Sequence, residues 1–513
     1  MSKPSRRPTR EARKEHKQKV REAQRQLRDQ QAAQGLLPPP QISVSNRLCP
    51  YQDEAEEQAA RQAGVAGQLG VFRGQLPKLL KALRKISDHR QAKKVKHQLT
   101  VVLLYGLLSF VFQMASRRQA NRELSRPVFL ATLQQLFPEL ETLPHADTLH
   151  RVLQRIDVEQ LEQAHVGLIR RLIRNKKFRR YLIDQYYPVA IDGTQKLVRQ
   201  GQWWDEAWLE RRHDGDENKD NDPSWVQQYV YVLEANLVLH NGVTLPLLSE
   251  FLSHSEGDPD DQKQDCEQRA FHRLAARLKG YFPRLPILVL LDGLYPNGPI
   301  MAHCRAYGWQ FMIVLPDKCL PSLWQEVEAL KALKPHPGYH QHWQGRAQQF
   351  WWINEIDYRY DSDQKALTVH VVGCEESWQG VDPDSAEIVD HHARHVWLSS
   401  HRLSAANVHQ RCNLGARHRW GIEINMQIEK RQGYCYEHAF SQTWQAMKGY
   451  HYLMRLAHLI NALALASKPV AHQVRSLGVQ AFLRWVRETC ANRWLDHTWI
   501  AGFHDQSLQL RLE

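Results

Sequence analysis

The stretches "YYPVAIDGT", residues 186–194, and "LPILVLLDGLYPNG", residues 285–298, decide the fold class. The second is a continuous apolar run of the kind buried on both faces of a central parallel strand, and it ends on Asp292. The first is shorter and ends on Asp192. Between them, "YVYVLEANLVLHNGVTLPLL" holds Asn241-Gly242 between two β-rich runs, a strong hairpin signal. A helix follows, because "DQKQDCEQRAFHRLAARLKGYF" sets Phe271, Leu274 and Leu278 on one face. After Asp292, "YGWQFMIVLP" supplies one more strand.

The order strand, hairpin strands, helix, strand, helix, strand matches a ribonuclease-H-like α/β domain, with Asp192 expected to close the first strand and Asp292 the fourth. In open α/β sheets such strand ends border the crevice where ligands sit. An Asp-Gly pair after a strand is more often a simple turn, so each aspartate alone is a weak sign.

Around this core the sequence divides into six segments. Residues 1–41 form a basic arm, with eleven Lys/Arg and four Asp/Glu in the first thirty positions; its composition predicts disorder. Residues 42–180 read as an all-helical DNA-binding domain, in which "LTVVLLYGLLSFVF" is too short to span a membrane and reads as a buried core helix. Asp147 is the expected N-cap of a helix whose stripe is Leu149, Val152 and Leu153. Residues 181–316 carry the first part of the catalytic domain, 317–400 a β-rich insertion, 401–468 its second part, and 469–513 a helical tail.

Bulk composition adds a partner and a compartment. The balance of 68 Lys+Arg against 55 Asp+Glu gives a net charge of +13, which favours polyanions, nucleic acid first. Eight scattered cysteines without a CxxC pair, and the lack of an apolar signal segment, fit reduced thiols in a cytoplasm.

The segment "RWGIEINMQIEKRQGY", residues 419–434, alternates apolar and polar residues as a strand would. A strand leaves Lys430 on the apolar face. A helix instead gathers Arg419, Glu423 and Lys430 within a sector of roughly 40°, with Ile422 and Met426 beside that stripe and Trp420, Ile424 and Ile428 opposite, which predicts a helix packed on more than one side. The helix is preferred, since it accounts for all three charges.

These residues resemble the DDE-class insertion-sequence transposases, in the group whose signature reads Tyr-x2-Arg-x3-Glu-x6-Lys. Arg419, Glu423 and Lys430 match three of its four positions; Ala416 stands at the Tyr position. The resemblance spans about residues 145–465. It implies a metal-dependent DNA nuclease and strand transferase: Asp192, Asp292 and Glu423 as catalytic residues holding two Mg²⁺ ions, with Mn²⁺ as an alternative, and Arg419 and Lys430 gripping phosphates. It implies that the ends of a mobile element are bound, cleaved and joined to target DNA, on a homodimer. The alternative is a catalytically silent DNA-binding protein derived from a transposase.

Three further features each admit two readings. Trp204, with Trp203 and Trp208, is a candidate for stacking on an unpaired base, against ordinary aromatic packing. His391 and His395 have the spacing of a metal pair, against a polar loop. "AIDGT" approaches the Asp-x-Asp-Gly-Thr phosphatase motif, but Ala190 replaces the nucleophile.

Overall fold

The computed structural model describes residues 10–37, 48–200, 209–213, 224–252, 266–333, 338–361, 365–505 and 510–513. In chain order the helices are α1 (Arg10–Ala33), α2 (Glu54–Leu83), α3 (Leu99–Val111), α4 (Arg117–Leu124), α5 (Pro127–Leu136), α6 (Ala146–Leu153), α7 (Val158–Arg174), α8 (Glu267–Tyr281), α9 (Gly298–Ala306), α10 (Pro321–Leu333), α11 (Gly421–Arg431), α12 (Trp444–Leu465), α13 (Lys468–Leu477), α14 (Val479–Ala491) and α15 (His497–Asp505). The strands are β1 (Tyr187–Gln200), β2 (Leu209–His213), β3 (Trp225–Val238), β4 (Thr244–Phe251), β5 (Ile287–Leu291), β6 (Gln310–Val314), β7 (Gly338–Trp343), β8 (Arg346–Tyr360), β9 (Lys365–Val381) and β10 (Ile388–Ser399). The fold is mixed α/β, in two compact units. One comprises Met1–Ile42, Asp292–Arg305 and Gln310–Ala416; the other comprises Ser43–Leu291, Ala306–Trp309 and Arg417–Glu513.

In the larger unit β1 pairs antiparallel with β3 and parallel with β5, and β4 and β2 both pair antiparallel with β3. Gly242, at φ +87°, makes the turn between β3 and β4 that Asn241-Gly242 announces. Helix α8 buries Phe271, Leu274 and Leu278 as its stripe requires. The run at 99–112 is the buried helix α3, and Leu149, Val152 and Leu153 of α6 are buried near it. Two glycines allow the helices to come close: a Cβ on Gly106 would lie 2.9 Å from side-chain atoms of both Leu149 and Leu453, and one on Gly449 would lie 2.9 Å from Leu153.

The cap of α6 differs from expectation. His145, not Asp147, is the N-cap, and its Nδ1 accepts from the Asp147 amide. Asp147 sits inside the first turn, where its carboxylate pairs with Arg117 at 2.6 Å. An acid in the first turn suits the helix dipole as well as a cap would.

In the smaller unit β10 pairs antiparallel with both β6 and β9, β9 with β8, and β8 with β7. The segment expected to be a polar loop, "DHHARHVWLSSH", is therefore mostly strand β10. Its first half is exposed on both faces and carries no apolar period; its pairing with β9 makes it a strand. The basic arm also departs from expectation, since Arg10–Ala33 is helical. It is rich in strong helix formers, and it rests on β9 of its own unit with Leu27 buried and His16 bonded to the Pro383 carbonyl at 2.8 Å. None of the eight cysteines forms a disulfide. Among the described residues no helix is long and apolar enough to cross a membrane.

Candidate active site

The segment from residue 409 to 431 coils in three gauges: a π-helix His409–Gly415, a 3-10 turn Ala416–Trp420, and α11. Ala416, at the expected Tyr position, is buried where the first two meet. Helix α11 buries Ile422, Asn425, Met426 and Glu429, the i, i+3, i+4, i+7 face of a helix packed on one side. Packing on a second side does not occur: Trp420 and Ile424 are each 60% exposed. Gly421, an unfavourable helix residue, has a local reason. A Cβ there would lie 2.7 Å from Thr244 Oγ1 and 3.3 Å from Val238 Cγ1, so the glycine lets α11 start hard against the β3–β4 hairpin.

This docking brings three of the singled-out residues together. Arg419 donates from Nη2 to Glu423 Oε1 at 2.8 Å and from Nη1 to Asp192 Oδ2 at 3.3 Å. Its side chain is 9% exposed, against 17% for Asp192 and 33% for Glu423, so a nearly buried guanidinium links two carboxylates that still reach solvent. Asp192 Oδ1 also accepts from the Gly193 amide at 2.9 Å.

Asp192 does not close its strand. β1 continues to Gln200, because residues beyond Asp192 keep pairing with β3. What ends nearby is the parallel pairing with β5, whose last register pair is Ala190 with Leu290. Asp192 stands two residues beyond Ala190, and Asp292 two beyond Leu290. Asp292 belongs to the smaller unit, and its Oδ1 accepts from the Leu294 amide at 2.9 Å. Lys430, two turns beyond Glu423, pairs with the exposed Glu437 at 3.4 Å.

Among the described residues no group of three or more His, Cys, Asp and Glu side chains is gathered so as to hold a metal ion. His391 and His395 lie on β10, where they stack on Trp378 and Trp397. Trp203, Trp204 and Trp208 lie outside the described residues.

Beneath α11 lies an ionic core that sequence reasoning missed. Arg455 of α12, 2% exposed, donates to Glu429 of α11 at 3.0 Å and pairs with Glu234 of β3 at 2.9 Å, both carboxylates being fully buried. It also donates to Asn236 Oδ1 at 2.7 Å. His458 lies 2.7 Å from Glu429; Tyr436 and Ser249 donate to Glu234 at 2.9 and 2.6 Å. Burial alone would raise the Glu429 carboxyl, but Arg455 and the His458 hydrogen bond outweigh it and hold it below the usual range. Glu234 is raised, by burial first and by the like charge of Glu429.

Lys196 completes this core. The β1–β3 register slips between Gln195 and Leu197, so Lys196 is the extra residue of a β-bulge and turns inward. Its ammonium donates to the Tyr436 carbonyl at 2.7 Å and lies 4.2 Å from the centre of the Tyr436 ring. Burial pushes it down to about 8, with Glu234 and Glu429 opposing. One signal for this core was readable: His451, Arg455 and His458 fall at i, i+4, i+7 on the largely apolar α12.

Comparison with known proteins finds a family-level similarity over part of the chain. Residues 80–169, which include α3 to α6 and most of α7, match the family described as DDE_Tnp_1-associated. No curated protein matches the chain. Among solved structures, a cryo-EM structure of a piggyBac transposase synaptic complex with hairpin DNA is similar at 11% identity and a TM-score of 0.35, over 86% of this chain and 83% of that one. The segment 80–169 is therefore similar to a family named for its association with DDE transposases.

Proposed function

We propose that the chain is a DDE-class DNA transposase, a metal-dependent nuclease and strand transferase that binds the inverted repeats of a mobile element, cleaves them and joins their 3′ ends to target DNA. The observation that carries this is Arg419 bonded at once to Asp192 on the sheet and Glu423 on α11. The signature spacing requires a helix for its Arg and Glu to meet, and here they meet at the first aspartate. The match of residues 80–169 supports the reading independently. So does the order β4-β3-β1-β5, an antiparallel hairpin followed by a crossover through α8 to a parallel strand, as a ribonuclease-H-like sheet has.

The donor chemistry fits a divalent cation. Mg²⁺ takes hard oxygens, commonly one or two carboxylates with phosphate oxygens completing the shell, and Asp192 and Glu423 offer such a pair. Asp192, Glu423 and Asp292 would hold the ions, and the chemistry Mg²⁺ or Mn²⁺ would supply there is activation of the attacking hydroxyl and stabilisation of the leaving oxygen. Arg419 supplies fixed positive charge between the carboxylates, and its planar fork keeps further N–H groups for a non-bridging phosphate oxygen. Lys430 acts as a point charge, released from an exposed glutamate whose screened pairing is worth little. Duplex DNA, as element ends and target, is the partner; a homodimer follows from the need to hold two ends.

The test is cleavage of duplexes carrying the inverted repeats that flank the coding region, with Mg²⁺ present. Asp292→Asn should abolish cleavage and leave end binding intact. Full strand-transfer activity in that variant removes Asp292 from the site, and a parent that binds the ends but never nicks them leaves the silent DNA-binding protein.

A further inference from the structure

The charged surface of the larger unit is not evenly spread. Two grooves run over its N-terminal helices, and both are basic. One, of about 860 Å³, lies between the loop after α2 and helix α6, and is lined by Lys94, Lys96, Arg151 and Arg155. The other, of about 730 Å³, lies between α2 and α7, and is lined by Lys78, Lys81, Lys85 and Arg174. They adjoin where the Ser87 amide donates to Gln160 Oε1 at 3.1 Å, Ser87 lining the first groove and Gln160 the second.

All eight cations are exposed. Each groove contains one acid, and each acid is already engaged. Asp88 pairs with Arg90 at 2.7 Å. Asp157 caps α7, accepting from the Glu159 amide at 3.0 Å and from Gln160 Nε2 at 3.0 Å. None of the eight lysines and arginines forms an ion pair among the described residues; Arg151 donates to the Asp147 carbonyl through Nε, leaving its terminal nitrogens outward. A row of like charges repels itself, and the one acid felt by Arg151, Asp147, is already paired with Arg117. Lys78 and Lys81 stand one turn apart on α2, Lys85 lies just beyond its end, and Arg174 is the last residue of α7, facing a ligand that presents a charge every ~1.7 Å of duplex.

We propose that these two grooves form one track for the phosphate backbone of duplex DNA, binding without regard to sequence. The inference deepens the transposase reading and assigns backbone grip to a surface carrying none of the residues placed in the chemistry.

The test measures binding of the full chain to fluorescent duplexes from 50 to 200 mM salt, with EDTA present so that cleavage plays no part. Every phosphate that the protein no longer neutralises lowers the slope of log affinity against log salt by about 0.9. Changing Lys94, Lys96, Arg151 and Arg155 to glutamine should therefore lower it by between about 3 and 4. The drop should be equal on an inverted-repeat duplex and a scrambled one. The same drop should follow from changing Lys78, Lys81, Lys85 and Arg174 to glutamine, which provides a second reading if the first variant melts early. An unchanged slope, a drop confined to one sequence, or binding of anionic phospholipid vesicles with none of duplex overturns the track. A charge-sensitive slope in a parent that never cleaves in Mg²⁺ supports the track and overturns the nuclease.

Discussion

Replacing Arg455 by methionine keeps most of the side-chain volume and removes the one guanidinium between Glu234 and Glu429. At 2.9 and 3.0 Å, each pair is worth about 5 kcal/mol of gross attraction at an effective dielectric near 20. Most of that offsets the cost of taking the charges out of water. Breaking the arrangement leaves two fully buried carboxylates facing each other, and such losses run to about 3–5 kcal/mol. Urea unfolding at pH 7 should show a deficit of that size. The sign with pH is specific. Without Arg455 both folded carboxyls are pushed above their unfolded value, so the variant binds protons on folding and its deficit shrinks as pH falls toward 5. Glu429→Gln on top of Arg455→Met should cost less than the sum of the two single changes, because the second removes a charge the first has stranded. A deficit below about 1 kcal/mol, or one that does not move with pH, refutes the ionic account of this core.

Two further outcomes follow from the same region. Lys196 is held down to about 8 from an ordinary 10.5, so between those values the unfolded chain keeps a proton the folded chain has released, and stability rises with pH. Over that window the parent should gain about 3 kcal/mol relative to Lys196→Met in urea unfolding; a constant difference shows that the ammonium is not destabilised by its burial. Gly421→Ala should improve helix propensity by up to about 1 kcal/mol yet lower end cleavage, since the new Cβ meets Thr244 Oγ1 and shifts α11. Thr244→Ala in the same chain should restore cleavage, and failure of that rescue assigns the defect elsewhere.

The sheet of the larger unit was legible because its residues obey simple periods. Ile287–Leu291 is apolar throughout, as a strand covered on both faces must be, and Asn241-Gly242 marks its own turn. What was not legible depends on partners far away in the chain. Nothing local makes residues 388–395 a strand; β9 does. Nothing in the basic arm predicts that Leu27 would find a buried place. Asp192 read as a strand end because the apolar run stops there, whereas β1 continues on antiparallel pairing with β3 that the run does not encode.

Helix α11 shows why hydrophobicity alone misreads a helix's buried face. Ile422, Ile424, Met426 and Ile428 alternate, and if burial followed them α11 would be a strand or a helix packed on two sides. The buried positions are Ile422, Asn425, Met426 and Glu429, half of them polar, while Ile424 and Trp420 are exposed. Glu429 occupies a core position because Arg455 and His458 meet it there, so the face α11 presents inward is set by complementary charge on α12. That choice fixes the opposite side as well. Glu423 lies six residues before Glu429, about 120° away around the axis at 100° per residue, so inward-facing Glu429 turns Glu423 toward Arg419 and Asp192. An isoleucine at 429 would satisfy the apolar pattern and remove the ionic constraint on the helix's rotation. The buried charge beneath α11 therefore orients the carboxylate above it.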